Sequence, residues 1–179
     1  MNTQFEELYR GDMSRYKECN RYTRKLIYCL RKCQTVRNPL LKLFFRYKFK
    51  RLKSKHGLEI YYDTKIGKGL YLGHPYNITI NASAVIGENC NIHKGVTIGQ
   101  ENRGVRKGSP VIGDCVWIGI NAAIVGNIKI GSDVLIAPNS YVNCDVPDHS
   151  VVFGNPCIIK HRDNATEDYI NNKVKENIE

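Results

Sequence analysis

The sequence is short of the features that mark several large protein classes. No run of eighteen apolar residues occurs among its 179 residues, so nothing in it reads as a membrane-spanning helix. The opening stretch, residues 1–12, is polar and acidic, which does not fit a secretory signal. The seven cysteines (Cys19, Cys29, Cys33, Cys90, Cys115, Cys144 and Cys157) form no C-x-x-C pair and are odd in number. That pattern suits reduced thiols in a cytoplasm better than a disulfide framework. Acid is scarce in the first third. Residues 1–57 carry 4 Asp and Glu against 16 Lys and Arg, whereas residues 58–179 carry 13 against 11. A basic piece is thus joined to a nearly neutral one near Gly57.

The neutral piece has a period of six. Ile60, Ile66 and Leu72, then Ile80, Ile86, Ile92 and Ile98, then Ile112, Ile118, Ile124, Ile130, Ile136 and Val142 recur at that spacing, often with glycine next. Neither a helical period nor strand alternation explains this, whereas a β-helix does, with three hexads to each triangular coil. The aliphatic side chain of each hexad then points into the prism and stacks on its equivalents above and below. The expected class is mainly β, a parallel β-helix over 58–160, with a helical region over 1–57 and a polar tail over 161–179. The tail is expected to form a short helix or to fray.

The period slips twice. Two extra residues enter between Leu72 and Ile80, around His74-Pro75, and about eight leave the coil within Gln100–Pro110. Such bulges in a regular repeat mark function. Counting hexads puts His93 beside Gly73 one coil along and carries the edge on to Ile112, so His74, His93 and the excursion are expected on one edge. His56, His149 and His161 fall off that edge, so no metal site is expected.

In the basic piece, apolar residues at spacings of three and four over 5–35 predict an amphipathic helix, with a break at Asn38-Pro39 and a second helix through the basic, aromatic run that follows. Residues 40–55 would cap the prism or touch an anionic surface such as a membrane leaflet. Nucleic acid is not expected, because no nucleic-acid motif accompanies the charge.

The stretch from Glu59 to Lys160 resembles the left-handed β-helix acetyltransferases, in their serine acetyltransferase branch. The resemblance rests on IYYDTKIGKGLYLGH, INASAVIGENC, VTIG, PVIGDCVWIG and VPDHSVVFGNPCIIK. It implies a homotrimer that uses acetyl-CoA, with His74 as general base and Glu59 orienting it. It implies a donor groove along Gly99, Gln100, Gly119, Ile120, Ala137 and Pro138, with Asn155, Pro156 and Lys160 near the nucleotide end. Gly73 stands where that branch has an Asp, and Gly108-Ser109 where it has an Arg-His pair, so the clamp for a free amino acid looks absent. His93 in NIHKGVTIG is closer to the exopolysaccharide O-acetyltransferases of the colanic acid type. The expected acceptor is accordingly a sugar or glycan hydroxyl held by Tyr76, Asn77, Asn102 and Ser109, with His93 touching acceptor or thioester. Serine is the alternative acceptor. The expected location is the cytoplasm, at or near the inner face of the membrane.

Overall fold

The computed structural model describes residues 3–175. Its central body is a prism of about five coils, whose three faces are three parallel sheets built one strand per coil. The first face stacks Ile60, Ile80, Ile98, Ile124 and Val142 in register. The second stacks Ile66, Ile86, Ile112 and Ile130. The third stacks Leu72, Ile92, Ile118, Ile136 and Val152. All fourteen of these side chains are buried. Each contributes roughly 1.5–3 kcal/mol of burial, so the six-residue period alone accounts for much of the core.

The corners need backbone that turns sharply. His74, Asn77, Cys115, Asn121, Asp133, Asn139 and His149 all sit at φ between 52° and 60°, the left-handed region that Asn and Asp tolerate best. From one coil to the next, amides at the corner between the third and first faces bond the carbonyl below: Asn77 to His56, Gly95 to Tyr76, Asn121 to Lys94 and Asn139 to Ile120.

Three helices precede the prism: α1 (Thr3–Ser14), α2 (Arg21–Thr35) and α3 (Pro39–Ser54). The apolar pattern over 5–35 therefore belongs to two helices. The side chain of Asn20 accepts from the Thr23 amide and starts α2, just as Asn38 accepts from Leu40 and Leu41 and starts α3. The apolar stripe of α2 (Leu26, Ile27, Leu30, Cys33) joins Phe49 of α3 and Leu58 in the same core as the first coil. Between α1, α2 and the prism lies a buried ion pair. Arg31 donates to both Asp12 oxygens at 2.7 and 2.9 Å, and to the carbonyls of Ile66 and Gly67. Asp12 in turn accepts from the Leu70 amide. These bonds cross the compositional boundary at Gly57. The helix α3 keeps Leu40, Leu43, Phe44 and Tyr47 exposed among its cations.

Two expectations are corrected. The tail neither extends α-helix nor frays up to Lys175. Ile158–His161 turns back antiparallel on the strand Ser150–Phe153, and Ala165, Thr166 and Ile170 are buried against the prism. Asp133 pins it, accepting from the amides of Ala165 and Thr166 and from the Thr166 hydroxyl. Second, the excursion leaves the corner between the first and second faces, not the edge of His74. It adds residues without adding a face, so Ile112 follows Ile98 around the prism, and Ile92 pairs with Ile118. The excursion itself closes as a hairpin between Glu101 and Gly108 and rests on Asn127 and Asn81.

Candidate active site

His74 follows the third-face strand Tyr71–Gly73 at the bulged corner, exposed and with φ 53°. It opens onto a cleft of about 340 Å³ whose walls include Tyr16, Glu18, Tyr22, His56, Tyr71 and Tyr76. Tyr16 is fixed there by stacking on Tyr71 at 4.6 Å and by accepting from the Leu72 amide. His56, which hexad counting places off this edge, belongs to it. Its ring stacks on Tyr22 at 3.7 Å, and its Nδ1 is buried without a partner among the described residues.

The register also explains Gly73. Gly73 pairs directly with His93, and a Cβ built on Gly73 would stand 2.3 Å from the His93 Nδ1. The absence of a carboxylate at 73 thus makes room for the His93 ring. Replacing Gly73 with Asp is expected to cost about 1–3 kcal/mol, the usual range for overpacking. In a His93→Leu background the cost should shrink, because the stiff ring is gone. Urea unfolding of the two single variants and the double variant measures this, and an undiminished cost in the double variant would contradict the steric reading.

His93 packs on Trp117 at 4.7 Å. Burial, helped by the nearby His74, pushes its pKa down to about 4. An unfolded His titrates near 6.5. Between those values the unfolded state holds the extra proton, so stability rises with pH across the window and is lost as pH falls through it. The melting temperature of the natural chain should therefore drop more steeply from pH 6.5 to 4 than that of His93→Leu. Parallel curves would contradict it.

Glu59 begins the first-face strand one coil before, exposed and beside Lys53, and no hydrogen bond joins it to His74. The remaining sequence-derived residues divide over two corners. Gly119-Ile120, Ala137-Pro138 and Asn155-Pro156 follow successive third-face strands, directly up the corner from His74 and His93. Tyr76 and Asn77 lie at that same corner, with Tyr76 half exposed over His56. Gly99, Gln100, Asn102 and Ser109 lie on the next corner, where Gln100 and Ser109 both bond Asn81. Lys160 sits on the closing strand, its Nζ 5.8 Å from the Phe153 ring centre. The coils are tight at the corner above His74: a Cβ on Gly119 would meet the Pro138 nitrogen at 2.6 Å. Among the described residues, no three His, Cys, Asp or Glu side chains converge on a metal position.

Residues 109–144 match the bacterial transferase hexapeptide family of six repeats. A serine acetyltransferase of Staphylococcus aureus is 42% identical over 107 residues, 60% of this chain and 50% of that protein. The serine acetyltransferase of Neisseria gonorrhoeae superposes with a TM-score of 0.71 at 30% identity, covering 89% of this chain and 67% of that one. The chain belongs to the hexapeptide-repeat acetyltransferases. A Brucella abortus serine acetyltransferase in complex with coenzyme A is similar to this chain with a TM-score of 0.74 at 28% identity, covering 90% of this chain and 69% of that one. The chain spans only half the length of its Staphylococcus relative. These comparisons overturn the expectation of a sugar or glycan acceptor: the similar proteins are serine acetyltransferases in both sequence and structure.

Two charged residues that sequence reasoning passed over stand out. Glu18 is the one acid among the residues lining the His74 cleft. Arg15 is buried on the far side of Tyr16. The signal for both was local, since charge in the Arg15–Asn20 break between two helices has no helical face to solvate.

Proposed function

We propose that the protein transfers an acetyl group from acetyl-CoA to the hydroxyl of serine. The observation that carries this is the position of His74, in a bulge-opened cleft at the foot of a corner lined by small and flat residues. The imidazole takes the hydroxyl proton as oxygen attacks the thioester carbon; the C–S bond then breaks, and the same proton passes to the leaving thiolate. No covalent enzyme intermediate is needed. The pantetheine arm would run past Gly119-Ile120 and Ala137-Pro138, where backbone rather than bulky side chains forms the wall. Asn155, Pro156 and Lys160 lie farther along for the nucleotide end, and a lysine suits a phosphate there.

An amino acid acceptor needs a carboxylate for its ammonium and a cation for its carboxylate. Glu18 lines the cleft and serves the first need without Asp at position 73. For the second, the excursion carries Arg103, Arg106 and Lys107, displaced from Gly108-Ser109. In one chain those cations lie on a different corner from His74. A neighbouring copy set side by side would bring the two corners together, which supports a homotrimer with its sites between copies.

Thiol release from acetyl-CoA is expected to depend on L-serine, with a Glu18→Gln variant showing a raised KM for serine and little change for acetyl-CoA. The same preparation should have a solution mass of three chains by light scattering. Release no faster with millimolar serine than without it would remove the assignment of the acceptor.

A further inference from the structure

Among the described residues, Arg15 is a buried cation without a counter-charge. Its side chain is 4% exposed. Nε donates to the Asn171 carbonyl at 2.9 Å, one terminal nitrogen to the Gly69 carbonyl at 2.8 Å, and the other to Asn91 Oδ1 at 2.7 Å. Every acceptor is neutral. A guanidinium has five N–H groups, so two remain unspent among the described residues. Arg31 offers the comparison inside the same molecule, since it is equally buried and holds Asp12 with two bonds. A buried charge with no partner is strongly unfavourable, which is why buried arginines are found paired. Burial accordingly depresses the Arg15 pKa.

The guanidinium does not face solid core. It lies in the wall of a cleft of about 380 Å³ on the outer side of the third face. Tyr71, Trp117 and Tyr169 supply flat apolar walls, with Trp117 and Tyr169 edge-to-face at 5.1 Å. His93 lines the same cleft, and its Nε2 is buried with no partner. A cation with N–H groups to spare and an unpartnered imidazole nitrogen thus belong to residues lining one aromatic-walled space. Glu18 sits at the rim, exposed and making no bond to Arg15.

We propose that this cleft is a binding site for a small anion, a carboxylate or a phosphate, with Arg15 as its counter-charge and the aromatic rings holding any flat group attached to it. It adjoins the His74 cleft, with Tyr16, Glu18 and Tyr71 common to both linings, and it does not depend on what the acceptor is. Because the stacked Tyr16–Tyr71 pair lines both clefts, an anion bound at Arg15 would stiffen the wall against which the acceptor sits.

The chain contains a single tryptophan, and it is Trp117, so the site carries its own reporter. The full-length protein is titrated with sodium phosphate and, separately, with sodium benzoate. Ionic strength is held constant with chloride, and tryptophan emission is recorded. Saturable change with phosphate identifies a phosphate site, and saturable change with benzoate a carboxylate site. Either should be weakened at least about tenfold in Arg15→Lys, which keeps the charge but loses the planar fork, and abolished in Arg15→Gln. Circular dichroism melting checks that each variant is folded, and the natural chain should melt higher with the bound anion. The Lys variant keeps the test decisive where the Gln variant does not fold. No saturable response to either anion, or an equal response in Arg15→Lys, would overturn the proposal. Thiol release is not read in this experiment, so a failed serine assay leaves it untouched.

Discussion

Replacing His74 with Ala is expected to lower turnover about 10²- to 10⁴-fold while leaving acetyl-CoA affinity nearly unchanged. In the proposed reaction the imidazole accepts the proton of the hydroxyl. His56 shares the cleft but is held against Tyr22, and burial pushes the His93 pKa down to about 4, which makes it a weak base. The proposed donor corner runs along Gly119-Ile120, Ala137-Pro138 and Asn155-Pro156, on the coils above His74. A general base removed without loss of donor contacts lowers kcat and kcat/KM together. Single-turnover rates and an independent measurement of acetyl-CoA binding separate these effects. Rates within a few fold of the natural enzyme would move the base elsewhere.

The largest effect on stability is expected at Asp12. An Asp12→Ala variant leaves Arg31 charged and fully enclosed, and it also strands the Leu70 amide. Breaking a buried pair from one side costs about 3–5 kcal/mol, a large share of a domain's usual margin. Replacing both partners with apolar residues, Asp12→Leu with Arg31→Met, should recover much of that loss, because no orphan charge remains. Urea unfolding of the three variants gives the comparison; a single variant within about 1 kcal/mol of the natural chain would show the pair to be dispensable. Activity should fall with the single variant as well. The pair anchors the end of α1, and the chain that follows immediately provides Tyr16, a wall of the His74 cleft.

The prism was legible in the sequence because each hexad is nearly independent. Ile86 or Ile130 needs only its neighbours above and below, so the period survives in one dimension. The placement of Ile112 was not legible by counting, since a hairpin excursion consumes residues without consuming a face. The packing reason for Gly73 was hidden in a related way: it lies in the ring of His93, one full coil away. Asp12 and Arg31 were invisible as a pair because they lie on different helices. The folded tail shows the same limit, since Asp133 binds Thr166 across 33 positions of polar sequence with no pattern of its own.

The closing strand Ile158–His161 has a consequence for how copies of this protein can associate. A stack of parallel strands ends in a row of unpaired peptide groups, and such a row can template another chain. Here the third face finishes with a strand running the other way, carrying Lys160, His161 and then Arg162 along the rim. A second prism arriving end-on would meet reversed polarity and positive charge instead of a matching coil. At the opposite end, the apolar core of the first coil is already occupied by α2 and α3. Growth along the axis into filaments is thereby discouraged at both ends, and the long sides of the prism remain the surfaces open to ordered assembly.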